Sequence, residues 1–184
     1  MLTQIGAKPE SDFNDPLGML TDCHQRIRYF LSILITVCEE AAEKQLTPEQ
    51  RIVLEKALWY FHEAGPRHTA DEEESLFPRL RAKDVPRVHR AFEKIARLEA
   101  DHRQAEADHD DVDVIGHRWL SDGSLSKEDL RQMKVLLTDL TRLYKRHLIM
   151  EESEIFALAD GVLSRDEKDL VGREMAARRG ILRR

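Results

Sequence analysis

Apolar residues recur at helical spacing along five stretches of the chain, without the strict alternation of a half-buried strand. Leu20, Ile27, Phe30, Leu31, Leu34, Ile35 and Cys38 form the first stripe. Asp15-Pro16 precedes it, a capping residue with a proline in the first turn, and predicts a helix running to about residue 44. Thr47-Pro48-Glu49-Gln50 opens a second helix, in which Thr47 caps, Pro48 takes the first position and Gln50 completes a capping box. Val53, Leu54, Ala57, Leu58 and Phe61 carry it forward to Gly65-Pro66, where the missing backbone donor predicts either a kink or a new helix. Pro78 closes this segment, and residues 79–85 read as a connection. Val85-Pro86 opens a third helix, with Val88, Phe92, Ile95 and Leu98 on its inner side. The acidic run at Asp108, Asp110, Asp111 and Asp113 predicts fraying before Trp119. Ser126 with Asp129 caps a long fourth helix that passes through Leu130, Met133, Leu137, Leu140 and Tyr144 to about Ala159, where Gly161 stops it. Ser164 with Glu167 is the capping box of a short last helix.

The elements predict an all-α fold, an up-down-up-down four-helix bundle with a short C-terminal helix, because short connections make successive helices antiparallel neighbours. A polar N-terminal arm occupies residues 1–14, the bundle residues 15–160, and the C-terminal helix with a basic tail residues 161–184. The tail, from Arg178 onward, is expected to be frayed and solvated.

Composition narrows the function classes. The chain has 184 residues, enough for one domain with a sizeable core, and carries a formal charge of −6, which gives no footing for nucleic acid. Its most apolar stretch, residues 29–38, is too short to cross a membrane, and the N-terminus has no secretory pattern. Cys23 and Cys38 lie on one helix, roughly 22 Å apart and beyond disulfide reach. Reduced core cysteines fit a cytoplasmic protein. A homodimer is among the expected assemblies.

The candidate chemistry lies in a repeated string. His68-Thr69-Ala70-Asp71-Glu72 and His147-Leu148-Ile149-Met150-Glu151 each place a glutamate four residues after a histidine, and Phe77 and Phe156 follow five residues after each glutamate. Positions i and i+4 share one helix face, so each string aims an imidazole and a carboxylate at one point. His24 and His102 lie on the inner surfaces of the other two long helices. The spacings let all four histidines reach one level of an antiparallel bundle. A lone inward histidine is ordinarily a satisfied core residue, and His62, His89, His109 and His117, which have no repeat partner, are expected at the surface. Four imidazoles and two carboxylates exceed the four ligands of a tetrahedral zinc. Divided between two ions they give two terminal histidines each and two bridging carboxylates, a set that suits iron better than calcium or magnesium. No cysteine stands with them, which argues against an iron–sulfur cluster.

Four segments carry a resemblance to a family. His24-x-x-Ile27-Arg28, His68-x-x-x-Glu72-Glu73-x-x-Leu76-Phe77-Pro78, Glu99-x-x-His102 and His147-x-x-x-Glu151-Glu152-x-x-Ile155-Phe156 resemble the hemerythrin-like (HHE cation-binding) four-helix bundles over roughly residues 15–160. The resemblance implies a non-haem di-iron centre, two iron ions bridged by Glu72 and Glu151, with His24, His68, His102 and His147 as terminal ligands. Where oxygen-carrying hemerythrins have a second histidine four residues on in the third helix, this chain has Glu106. The ligand count then resembles the di-iron domain of iron–sulfur cluster repair proteins. Glu106 can replace the missing ligand, stand behind the ligands or face water. Ferritin-like proteins use Glu-x-x-His on two helices, whereas here Glu99-x-x-His102 and Glu106-x-x-His109 fall on one.

The expected role is a di-iron module that senses, stores or scavenges a small diatomic ligand, oxygen or nitric oxide. The alternatives are a di-iron enzyme that reduces nitric oxide or peroxide or donates iron for cluster repair, with Tyr144, Glu106 and Glu152 as candidate proton donors, and a scaffold that holds a metal for stability alone.

Overall fold

The computed structural model describes residues 10–41 and 44–181, and among them there are helices and no strand. Residues 1–9 of the expected arm and residues 182–184 of the tail lie outside the described residues. The helices are α1 (Pro16–Ala41), α2 (Pro48–Ala70), α3 (Phe77–Arg81), α4 (Pro86–His89), α5 (Phe92–Asp122), α6 (Lys127–Met150), α7 (Ala157–Val162) and α8 (Arg165–Arg178). Two π-helical segments, Asp71–Leu76 and Glu151–Phe156, join α2 to α3 and α6 to α7 without a break.

Local chemistry sets the boundaries. The side chain of Thr47 accepts from the Gln50 N–H while Gln50 reaches back to the Thr47 N–H, and Ser164 and Glu167 do the same for α8. Ser126 accepts from the Asp129 N–H at the start of α6. Gly123, with φ of 80°, closes α5 in the left-handed conformation that a glycine adopts without strain. Of the two alternatives at Gly65-Pro66 the new helix does not form, and two further expectations fail. α2 runs through Gly65-Pro66, α5 runs through the acidic segment to Asp122, and α7 passes Gly161 to Val162. The last of these is a shift of about three residues, from Ala159 to Val162. In the first two, packing on both sides of the interruption holds the helix. Leu58 and Phe61 before Pro66 and His68 after it are buried, as are Val112, Ile115 and Trp119 along α5. The third helix is also not one piece, because the chain turns at Arg90-Ala91 between α4 and α5.

α1 packs on α2 and α6, and α5 packs on the same two helices, so the four long helices close a ring. Two apolar clusters fill it. One gathers Ile27, Leu34, Leu54, Leu58, Ala105, Trp119, Leu137 and Leu143; the other gathers Leu20, Leu76, Phe77, Leu80, Ile95, Leu98, Ile155 and Met175. α1 and α5 pass from one cluster to the other at His24 and His102, and α2 and α6 do so through the π segments that follow them, near His68 and His147, so that a buried polar layer lies between the two.

The C-terminal helix is not an appendage. α8 packs on α1 and on the π segment Asp71–Leu76. The start of the expected basic tail is bound down, contrary to a frayed terminus. Arg178 pairs with Asp71 at 3.0 Å and donates to the Ser75 hydroxyl at 2.8 Å, and Arg179 pairs with the other Asp71 oxygen at 2.7 Å. The reason is Asp71, a fully buried carboxylate that has to be balanced by charge. At Gly172 a Cβ would come 1.9 Å from the Phe13 carbonyl oxygen, so glycine lets the chain before α1 cross α8 directly.

Candidate metal centre

His24 comes from α1, His68 from α2, His102 from α5 and His147 from α6, while Glu72 and Glu151 come from the two π segments. All six are buried, and Glu72, Glu151 and His24 are 0 % exposed. Their ligating atoms fall into two groups of four, His24, His68, Glu72 and Glu151 in one, Glu72, His102, His147 and Glu151 in the other. Both glutamates belong to both groups. Glu72 Oε1 lies 3.7 Å from His68 Nε2 and 3.9 Å from His24 Nε2, and its Oε2 lies 3.2 Å from His102 Nε2. Glu151 Oε2 lies 3.3 Å from His24 Nε2, and its Oε1 lies 3.1 Å from His147 Nε2 and 3.7 Å from His102 Nε2.

The π turns sit where the ligands need them. A π turn holds one residue more than an α turn and is found mostly at functional sites. Here each one begins at or just before the clustered glutamate, and adjacent glutamates bracket one imidazole of a neighbouring helix. Glu73 meets His102 Nδ1 at 2.8 Å while Glu72 faces its Nε2, and Glu152 meets His24 Nδ1 at 2.9 Å while Glu151 faces its Nε2. Glu152 is fixed further by Arg28 at 2.9 Å, so it orients a ring. Asp101, held by Arg146 at 2.5 Å, lies 3.5 Å from His147 Nδ1. Carboxylates behind the imidazoles set tautomer and orientation. Sequence reasoning missed Glu73 and Asp101 in this role; the Glu-Glu pair in both strings was the available signal for Glu73.

The electrostatics describe a site built for positive charge. Burial opposes protonation of His24 and His102, but Glu151 and Glu72 at the first and Glu72 and Glu73 at the second raise both imidazoles to about 10. Burial lowers His68. Burial would raise Glu72, yet His68, His102 and His24 hold its carboxyl well below the usual range. Both oxygens of Glu72 and of Glu151 and the Nε2 atoms of His24, His68 and His102 are buried without a hydrogen bond in the protein. Buried polar atoms left so are costly, and their convergence on two points fits a pair of cations.

The structure does not bring Glu106 into either group. It is exposed, one turn past His102, on the wall of a cavity of about 380 Å³ that reaches His68, His102 and His147 from outside. His109, expected at the surface, is half-buried instead. Its ring stacks on Phe61 at 4.0 Å and its Nε2 lies 2.9 Å from the Tyr144 hydroxyl, because one side of α5 faces α2 and α6 along its whole length. His62, His89 and His117 are exposed.

An all-helical chain with a buried layer of histidines and carboxylates on four helices and two π turns fits a metal-binding protein. The family comparison agrees and is more specific: the model of the hemerythrin HHE cation-binding domain matches residues 15–159, and the chain belongs to that family. It is also similar to an uncharacterized protein of Haemophilus influenzae, with 29 % identity over 172 residues that cover 92 % of each chain. Among the described residues no helix is long and apolar enough to cross a membrane.

Proposed function

We propose that this protein is a hemerythrin-like di-iron module that senses, stores or scavenges oxygen or nitric oxide. The observation that carries the reading is the double membership of Glu72 and Glu151 in two four-residue groups. His24 and His68 would hold one ion, His102 and His147 the other, and the two glutamates would bridge them. Two imidazoles and two carboxylate oxygens leave room on each ion for a further ligand, and nitrogen with oxygen donors suits iron. Iron so held supplies open coordination positions and electrons to a small molecule. The chain's own contribution is geometric. Glu152 and Glu73 hold the rings of His24 and His102 by hydrogen bonds, Asp101 stands beside that of His147, Phe77 and Phe156 cover the rings of His102 and His24, and the apolar clusters keep bulk water from two sides.

The up-down-up-down order of the bundle belongs to the same reading. It is supported by the clusters, which α1 and α5 meet in one order along the chain and α2 and α6 in the other. Buried, free Cys23 and Cys38 suit a cytoplasmic setting. Glu106 stands at the cavity wall outside both four-residue groups, which supports sensing or scavenging over reversible oxygen carriage.

Anaerobic reconstitution with ferrous iron is expected to give two irons per chain and a visible absorption that changes on adding oxygen or nitric oxide. Fewer than about one iron per chain, or a filled zinc site with no spectral response to oxygen or azide, would overturn the reading.

The imidazole protons give a pH test. Raised pKa values on His24 and His102 stabilise the metal-free fold fully below about pH 6.5, and this contribution is lost as the pH climbs to about 10. Metal ligation requires neutral imidazole, so loading displaces the protons. Calorimetric titration at pH 7.5, in buffers of different ionisation enthalpy, is expected to find about two protons released per loaded chain. Affinity is expected to rise with pH across the same interval. Proton-neutral loading would mean that the carboxylates do not hold those imidazoles charged.

A further inference from the structure

The cavity above His68, His102 and His147 is larger than a diatomic ligand requires. Its volume of about 380 Å³ lies in the range of small-molecule sites, roughly 300–1,000 Å³. A diatomic molecule, of about the 30 Å³ that a water occupies, would fill on the order of a tenth of it. The inner wall is apolar, formed by buried Ile27, Leu58, Phe61, Ala105, Val112 and Leu148. One polar pair interrupts it, the Tyr144 hydroxyl against His109 Nε2. Burial pushes the His109 imidazole down to about 3, so this part of the wall carries no positive charge at neutral pH. The rim is acidic, with Glu106, Asp110 and Asp113 against Arg103. Such a rim repels anions and admits neutral molecules.

Two glycines shape the space. Gly65 lines the mouth in the interior of α2, where glycine is about 1 kcal/mol worse than alanine. A Cβ built there meets nothing within 4 Å, so no close packing calls for a glycine. What its hydrogen does is leave the mouth clear. At Gly116, by contrast, a Cβ would come 2.6 Å from Leu58 Cδ1, so that glycine lets Leu58 sit back in the wall.

We infer that the cavity is a binding site for a neutral, largely apolar organic molecule with one hydrogen-bonding group, which it presents to His68, His102 and His147 at its floor. Binding itself rests on the cavity alone. Only what becomes of the molecule at the floor rests on the di-iron reading.

Acetophenone is a suitable probe, with benzenesulfonate as an anion of similar size, titrated calorimetrically into the iron-loaded protein. Acetophenone is expected to bind saturably at one per chain, and benzenesulfonate about tenfold more weakly or not at all. Gly65→Phe, whose Cβ has open space at the mouth, and Ala105→Leu, which enlarges the inner wall, are each expected to weaken acetophenone binding by about tenfold or more. Gly65→Ala is expected to leave it within about twofold, and iron content is expected to hold in all three. No saturable acetophenone binding, or equal binding in Gly65→Phe and Ala105→Leu, overturns the inference. If iron fails to load while acetophenone binds, the cavity site stands and the di-iron reading falls. If iron loads and responds to oxygen with no acetophenone bound, the reverse holds.

Discussion

Glu72→Ala and Glu151→Ala are each expected to abolish binding of both ions, while His68→Ala removes one. The difference follows from how the carboxylates are placed. The two oxygens of Glu72 face His68 and His102, on opposite sides of the site, and the two oxygens of Glu151 face His24 and His147. Loss of either side chain takes a ligand from both groups, whereas His68 belongs to one. Metal analysis after anaerobic reconstitution should therefore give close to zero, zero and one iron per chain. Circular dichroism serves as the control for folding. Glu152→Gln keeps the hydrogen-bonding shape beside His24 but removes the charge, and is expected to weaken metal binding by about 10–100-fold without changing the stoichiometry. His62→Ala, at an exposed position, is expected to bind both ions. If each glutamate variant retains one ion, the carboxylates serve one ion apiece and the bridged arrangement is wrong.

The second large effect lies away from the metal ligands. Asp71→Ala is expected to cost about 3 kcal/mol, because it leaves Arg179, about four-fifths buried, without its carboxylate, while Arg178 keeps Glu74 and Ser75. In a chain of this size that lowers Tm by roughly 6–12 °C. Arg179→Ala should cost less, since Arg178 remains to balance Asp71. Asp71 also begins the π segment that carries Glu72, so the Asp71→Ala protein is expected to lose metal affinity as well as stability. Thermal unfolding of the metal-free protein separates the two effects. A change in Tm below about 3 °C would mean that α8 does not hold the bundle through this pair.

What could be read in the sequence was what neighbouring residues decide. Thr47 with Gln50 and Ser164 with Glu167 are capping boxes whose partners lie three residues apart, and both form. The apolar stripes named the buried faces. The repeated His-x-x-x-Glu named Glu72 and Glu151, because four residues of helix fix their mutual position whatever the tertiary fold. Local punctuation left a new helix open at Gly65-Pro66 where none forms, and it misled in the acidic run after His109. There the loss of a backbone hydrogen bond, or the repulsion of like charges, is small beside the burial of Leu58, Phe61, Val112 and Trp119 on either side. His109 was misplaced for a related reason. Having no repeat partner says nothing about which way α5 turns that side chain.

Sequence by itself determined the helices, their main caps and a set of inward histidines and glutamates, since each depends on contacts within about one helical turn. Only the tertiary structure decided how those ligands are shared. That each carboxylate reaches two groups, that Glu73 and Glu152 grip imidazoles of neighbouring helices, and that Asp71 holds two arginines of α8 are all facts of distance between helices. The π turns belong there too. An extra residue in a turn has little local signature, and here each one lies beside a buried carboxylate that faces ligands from other helices.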